Sequence, residues 1–152
     1  MSGRFFEDLS VGDRDAFGAY RVTREETVAF ARAYDPQPFH LDDAAAAANP
    51  IFGRLSASGW NTAAIAMRLL VDRWQEIGLA SIGGGGVDGL RWTRPVYPGD
   101  TLRIEAHVLA LKPSASRPEM GAATSEITMF NQDAVMVMKF TTTGFILRRH
   151  PG

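Results

Sequence analysis

Trp60-Asn61-Thr62-Ala63-Ala64-Ile65-Ala66-Met67-Arg68-Leu69-Leu70-Val71-Asp72-Arg73-Trp74-Gln75-Glu76-Ile77 contains no proline or glycine. Trp60, Ala63, Ala64, Ile65, Met67, Leu69, Leu70, Val71, Trp74 and Ile77 cover most sides of a helix, so the stretch reads as a buried helix. Its length approaches that of a membrane span. Arg68, Asp72, Arg73, Gln75 and Glu76 are too many charged and polar groups for lipid, and packing against a sheet explains the helix better. At its start, Ser58-Gly59 offers a capping hydroxyl and then an unhindered backbone N–H that can approach a ligand oxygen and stabilise an oxyanion.

Downstream, Leu102, Ile104, Ala106 and Val108 alternate with Arg103, Glu105 and His107, the period-two signature of a half-buried strand. Val96-Tyr97-Pro98-Gly99-Asp100 supplies the turn before it. Two runs, about Ala122–Phe130 and Ala134–Leu147, flank Asn131-Gln132-Asp133 and read as a hairpin; the second is apolar on both faces, as in an interior strand. Gly83-Gly84-Gly85-Gly86 lacks the lysine and serine or threonine of a phosphate loop and reads as a connector. The second half therefore carries three long strands by this reading.

Upstream, about Asp15 to Val22 forms a first strand, and Thr23-Arg24-Glu25-Glu26 has the spacing of a capping box that opens a short helix. That helix stops near Asp35, and Asp42 or Asp43 caps a brief Ala44–Ala48 turn. Between them lies Asp35-Pro36-Gln37-Pro38-Phe39-His40. Its two prolines break any helical ladder and push Asp35 and Gln37 toward extended angles, so the geometry relating a carboxylate to an imidazole is partly set in advance. Such a pair suits proton transfer. The class is α+β, and a long helix against a curved antiparallel sheet is one arrangement that satisfies the pattern.

The length of 152 residues, with 45% hydrophobic content, suits a single domain over 1–152. With 16 basic and 17 acidic residues the formal charge is −1, too small to attract nucleic acid or an anionic membrane surface. No cysteine is present, which excludes disulfides, thiolate nucleophiles and cysteine-ligated metals. The N-terminus turns acidic where a signal peptide needs an apolar run, so a soluble cytoplasmic protein is expected.

Asp35-Pro-Gln-Pro-Phe-His40, followed by Ala57-Ser58-Gly59-Trp60, resembles the MaoC-like dehydratases, or R-specific enoyl-CoA hydratases, and Val96–Asp100 is similar to the family's later turn. The family's acid–base segment, Asp-x-Asn-Pro-x-His, is matched at Asp35, Pro38 and His40, with Gln37 in place of asparagine. Ser58 stands where the family commonly has histidine before the glycine, and Asn61 replaces the histidine of the most similar branch. Some hydratases carry an assisting serine farther into the helix, where ungapped counting finds Met67.

The resemblance implies a hot-dog fold and reversible hydration of a trans-2-enoyl thioester to an R-3-hydroxyacyl thioester. It further implies Asp35 and His40 as catalytic residues, Gly59 N–H as holder of the thioester carbonyl, and Gln37, Phe39, Ser58 and Trp60 as substrate-binding residues. No metal or organic cofactor is required, coenzyme A entering only as part of the substrate. The implied partners are an acyl-CoA or acyl-carrier-protein thioester and a second copy of the chain in a homodimer or higher homo-oligomer.

Other readings compete. Asp35 could end a helix by bonding local backbone, and His40 could be a structural histidine. His107 and His150 read as exposed. Asp35, His40, Asp42 and Asp43 could ligate a metal, but no established spacing supports it. Ser56 and Ser58 lack the Gly-x-Ser-x-Gly elbow of a hydrolase. Arg91, Arg94 and Lys112 are either solvated charges or contacts for a coenzyme A phosphate. A hot-dog thioesterase and a non-catalytic acyl-thioester-binding subunit remain as alternatives.

Overall fold

A computed structural model of the chain describes residues 3–151. β1 (Arg14–Arg21) leads to α1 (Arg24–Tyr34), a 3₁₀ turn (Pro38–His40), the short α2 (Asp43–Ala47) and the long α3 (Gly59–Ile77). Four strands follow: β2 (Ser81–Trp92), β3 (Thr101–Pro113), β4 (Met120–Phe130) and β5 (Met136–Leu147). They form one curved antiparallel sheet in the order β1-β3-β4-β5-β2, with α3 against it, which is the hot-dog arrangement.

Local chemistry sets the helix ends. Thr23 caps α1 by accepting from Glu26 N–H, and Asp42 caps α2 by accepting from Ala45 N–H. Ser58 caps α3, and Gly78 stops it at φ 67°, a left-handed conformation in which glycine meets no Cβ penalty.

Ile65, Ala66, Leu69 and Leu70 project from one face of α3 onto Leu102 and Ile104 of β3, Ile127 and Met129 of β4, and Met138 and Phe140 of β5. Fully burying each of the larger side chains contributes about 1.5–3 kcal/mol. Asp15 of β1 adds a two-toothed ion pair to Arg73 of α3, at 2.8 and 3.2 Å. β5 lies between β4 and β2, as its two-faced apolar run predicts.

Three expectations are corrected. Gly83–Gly86 is not a connector: it lies inside β2, antiparallel to β5, with register shifts between Ser81 and Gly83 and between Gly84 and Gly86. The second half therefore has four strands. β2 is an edge strand whose side chains mostly face outward, so no core face stamps an apolar period on it, and its glycines accommodate the shifts. The second correction concerns α3, which is buried on one side only: Trp60 is 59% and Met67 47% exposed. His107, expected to be exposed, is half-buried on the sheet's outer face beside Arg14 and Glu126.

Candidate active site

Asp35 is the residue on which α1 ends; its N–H still bonds Ala31 O, while its φ of −149° turns the chain out of the helix. Pro38 then opens the 3₁₀ turn, closed by His40 N–H to Gln37 O at 2.9 Å, and this folds the imidazole inward. The His40 side chain is 4% exposed and that of Asp35 17%. Nε2 of His40 lies 3.4 Å from Oδ2 of Asp35.

The far side of the ring is held as well. Nδ1 lies 2.8 Å from the carbonyl oxygen of Ser56, which can only accept, so Nδ1 carries a proton. Phe39 packs edge-on against the imidazole at 4.5 Å between centroids and stacks on Phe52 at 5.1 Å. Asp35 is fixed by Gln37, whose Nε2 donates to Oδ1 at 2.6 Å. Burial pushes the Asp35 carboxyl up, but hydrogen bonds from Gln37 and the Ser58 hydroxyl, with the attraction of His40, outweigh it and leave the group below its ordinary value.

The Ser56 carbonyl is delivered by the segment leading into α3. Ala57 N–H donates to Val96 O at 2.8 Å, and the Tyr97 hydroxyl to Phe52 O at 2.6 Å. The Val96–Asp100 turn is itself braced by buried Asp100, which accepts from Tyr97 N–H at 2.9 Å and from Gln132 at 3.0 Å. The turn thus supports the site through backbone rather than entering it.

Ser58, one of the groups that lower the Asp35 carboxyl, caps α3 by accepting from Trp60 N–H at 3.3 Å. As the first residue of that helix, Gly59 has an N–H without an intrahelical acceptor. Glycine also leaves room for the Trp92 ring, since a Cβ here would lie 2.4 Å from it. Trp92 Nε1 donates to Gly59 O at 2.8 Å, and Trp60 packs edge-on to the same indole at 5.1 Å.

Asp35, Gln37, Phe39, His40 and Ser58 therefore converge. Gln37 bonds Asp35, Phe39 packs on His40, and Trp60, 59% exposed, packs edge-on to Trp92. Sequence reasoning missed Ser56, which acts through a carbonyl that any residue carries, along with Phe52 and Trp92, whose partners are distant in the chain. Asp42 and Asp43 are otherwise engaged, the first capping α2 and the second paired two-fold with Arg24 at 2.9 and 2.7 Å. Among the described residues no group of three or more His, Asp or Glu could hold a metal ion.

Comparison with known proteins extends this picture. The chain is similar to the crystal structure of a MaoC-like dehydratase from Rhodospirillum rubrum, at 45% identity and TM-score 0.86, over 97% of this chain and 99% of that one. It is similar to an (R)-hydratase from A. caviae involved in PHA biosynthesis, at 29% identity and TM-score 0.72, over 93% and 99% of the two chains. The uncharacterised protein YdeM of Bacillus subtilis (strain 168) is 29% identical over 136 residues, 88% of this chain and 92% of that protein. A family model described as MaoC like domain matches residues 12–129, a span that includes both the Asp35–His40 turn and the start of α3, and the chain belongs to that family.

Proposed function

We propose that this protein reversibly adds water across the C2–C3 double bond of a trans-2-enoyl thioester, giving the R-3-hydroxyacyl thioester. The observation that carries the reading is the buried Asp35–His40 pair, 3.4 Å apart and braced from both sides. With Nδ1 donating to the Ser56 carbonyl, His40 presents Nε2 toward Asp35, whose depressed carboxyl stays ionised beside it. A water held by the two loses a proton to the pair as its oxygen bonds to C3, and the pair returns a proton to C2. The reaction is balanced in protons and electrons, so it needs no oxidant or organic cofactor.

As the bond to C3 forms, negative charge spreads to the thioester carbonyl, where Gly59 N–H at the positive end of α3 binds it more tightly than the ground state. The similarity to an (R)-hydratase supports this chemistry. We propose coenzyme A or an acyl carrier protein as the carrier, and a homodimer as the working form, which would cover Ile82 and Val87 on the β2 edge, now 49% and 55% exposed.

The test is hydration of a panel of trans-2-enoyl-CoAs, following loss of enoyl absorbance and, in parallel, free thiol. Absorbance loss without thiol is the expected result. Thiol release would instead make the protein a thioesterase, and tight binding without turnover would make it a non-catalytic acyl-thioester subunit.

A further inference from the structure

Residues 50–54 lie on the path from α2 to α3, and their hydrogen bonds show how that loop is held. Ile51 and Phe52 N–H both donate to Oδ1 of Asn49, at 2.8 and 3.1 Å, and Gly53 N–H donates to the Asn49 carbonyl at 3.1 Å. All three bonds go back to the base of the loop. Among the described residues one hydrogen bond ties residues 50–54 to anything beyond Asn49: the Tyr97 hydroxyl donates to Phe52 O at 2.6 Å.

Phe52 bears directly on the site. Its ring stacks on Phe39 at 5.1 Å between centroids and stands 5.5 Å from the His40 ring. Neighbouring Ile51 is 74% exposed and gives the loop no apolar anchor. Tyr97, by contrast, is fixed on several sides. Its N–H donates to Oδ2 of buried Asp100 at 2.9 Å, and Oδ1 of that carboxylate accepts from Gln132 between β4 and β5 at 3.0 Å. The Arg54 guanidinium lies 3.8 Å over the phenol ring. One turn thus reaches both walls of the imidazole: Val96 O holds Ala57, next to the Ser56 carbonyl that binds Nδ1, and Tyr97 holds Phe52.

We infer that Tyr97 is a positioning residue for the reaction: its hydroxyl latches Phe52 against Phe39 and His40, and so keeps Nε2 beside Asp35. The inference rests on the proposed hydration. The Ser56 bond fixes one point of the imidazole, and the aromatic wall keeps the ring from swinging about that point. With the latch gone the loop is left on Asn49 alone, the wall withdraws in a fraction of the molecules, and the 3.4 Å approach of Nε2 to Asp35 is lost in that fraction. Proton transfer tolerates little misplacement, so that fraction does not turn over.

The test uses the full chain carrying Tyr97→Phe, which keeps the ring beneath Arg54 and removes only the hydroxyl, then Phe52→Leu, then both. Two quantities are read: solvent exchange of the His40 Nδ1 proton, by proton–nitrogen NMR of the free protein, and kcat and KM for hydration of an enoyl-CoA. Tyr97→Phe should speed the exchange and lower kcat, each roughly fivefold, with KM little changed. Phe52→Leu should act in the same direction, and the double variant should match Phe52→Leu alone, because the latch works only through that residue. Unchanged exchange or kcat in a folded Tyr97→Phe, a change confined to KM, or additive effects in the double variant would overturn the inference. If Tyr97→Phe fails to fold, Phe52→Leu decides, and wild-type exchange there overturns it equally. The exchange is measured without substrate, so faster exchange in the variants of a protein that hydrates no enoyl-CoA would sink the proposed reaction alone. Hydration with wild-type exchange in Tyr97→Phe would sink the latch alone.

Discussion

His40 donates from Nδ1 to the carbonyl oxygen of Ser56 at 2.8 Å, and that single bond sets both the tautomer and the direction of the ring. A carbonyl oxygen cannot donate, so Nδ1 carries the proton and Nε2 is the nitrogen left to face Asp35 and any water held beside the pair.

Replacing Asp35 by asparagine keeps the size of the side chain and its place at the end of α1 but removes its charge. Turnover of enoyl thioesters should fall by about 100-fold or more, with the circular dichroism spectrum and unfolding midpoint close to wild type. Retained turnover would remove Asp35 from the mechanism, and a collapsed midpoint would make its role structural.

Gln37 lowers the Asp35 carboxyl through its 2.6 Å hydrogen bond. A depressed carboxyl keeps its charge, and the function that charge supports, until pH falls through the depressed value. Gln37→Ala removes one of the lowering contacts, so the folded value should rise toward the ordinary one. The acid limb of the kcat/KM profile should then move to higher pH, while the plateau above it persists. An acid limb at the wild-type position would show that Gln37 does not tune Asp35.

Gly59→Ala places a Cβ 2.4 Å from the Trp92 indole, which must move. Overpacking of this kind costs about 1–3 kcal/mol, readable in urea unfolding, and the Trp92 hydrogen bond to Gly59 O should be lost with it. In a Trp92→Ala background, Gly59→Ala should cost much less than it does in the wild type. Additive losses in the double mutant would mean the two side chains do not collide.

Asp8 gives a pH dependence remote from the site. Its carboxylate accepts from Arg149 at 2.7 and 3.1 Å and from Phe5 N–H at 2.8 Å, and these contacts hold it at about 2. Because the folded value is lower than the unfolded one, the contribution to stability is complete above the ordinary value of 3.8 and disappears as pH falls toward 2. Wild type and Asp8→Asn should therefore differ in urea midpoint at pH 6 and converge near pH 2. A gap that stays constant with pH would exclude this ion pair as its source.

Much of the architecture was legible locally. The Thr23 cap, the end of α1 at Asp35 and the Ser58 cap were each announced by a side chain that bonds its own near neighbours, and β3 by its alternation. β2 was hidden because strand signals come from a buried face, and its glycine-rich edge has little of one. Trp60 and Met67 were read as buried because apolar periodicity reports hydrophobic surface, not what covers it.

The site divides along the same line. By itself the sequence determined that an acid and a base stand on a proline-ruled segment five residues apart, and that a glycine opens a long helix, since φ restriction and capping act within a few residues. Only the tertiary structure decided which nitrogen of His40 faces Asp35, that Gln37 and Phe39 brace the pair, and that Trp92 rests on Gly59. It alone left the Nδ2 of buried Asn61 without a hydrogen-bond partner among the described residues. These are contacts to backbone carbonyls and side chains from distant segments, and no local spacing encodes a partner that arrives only when the sheet and α3 close on each other.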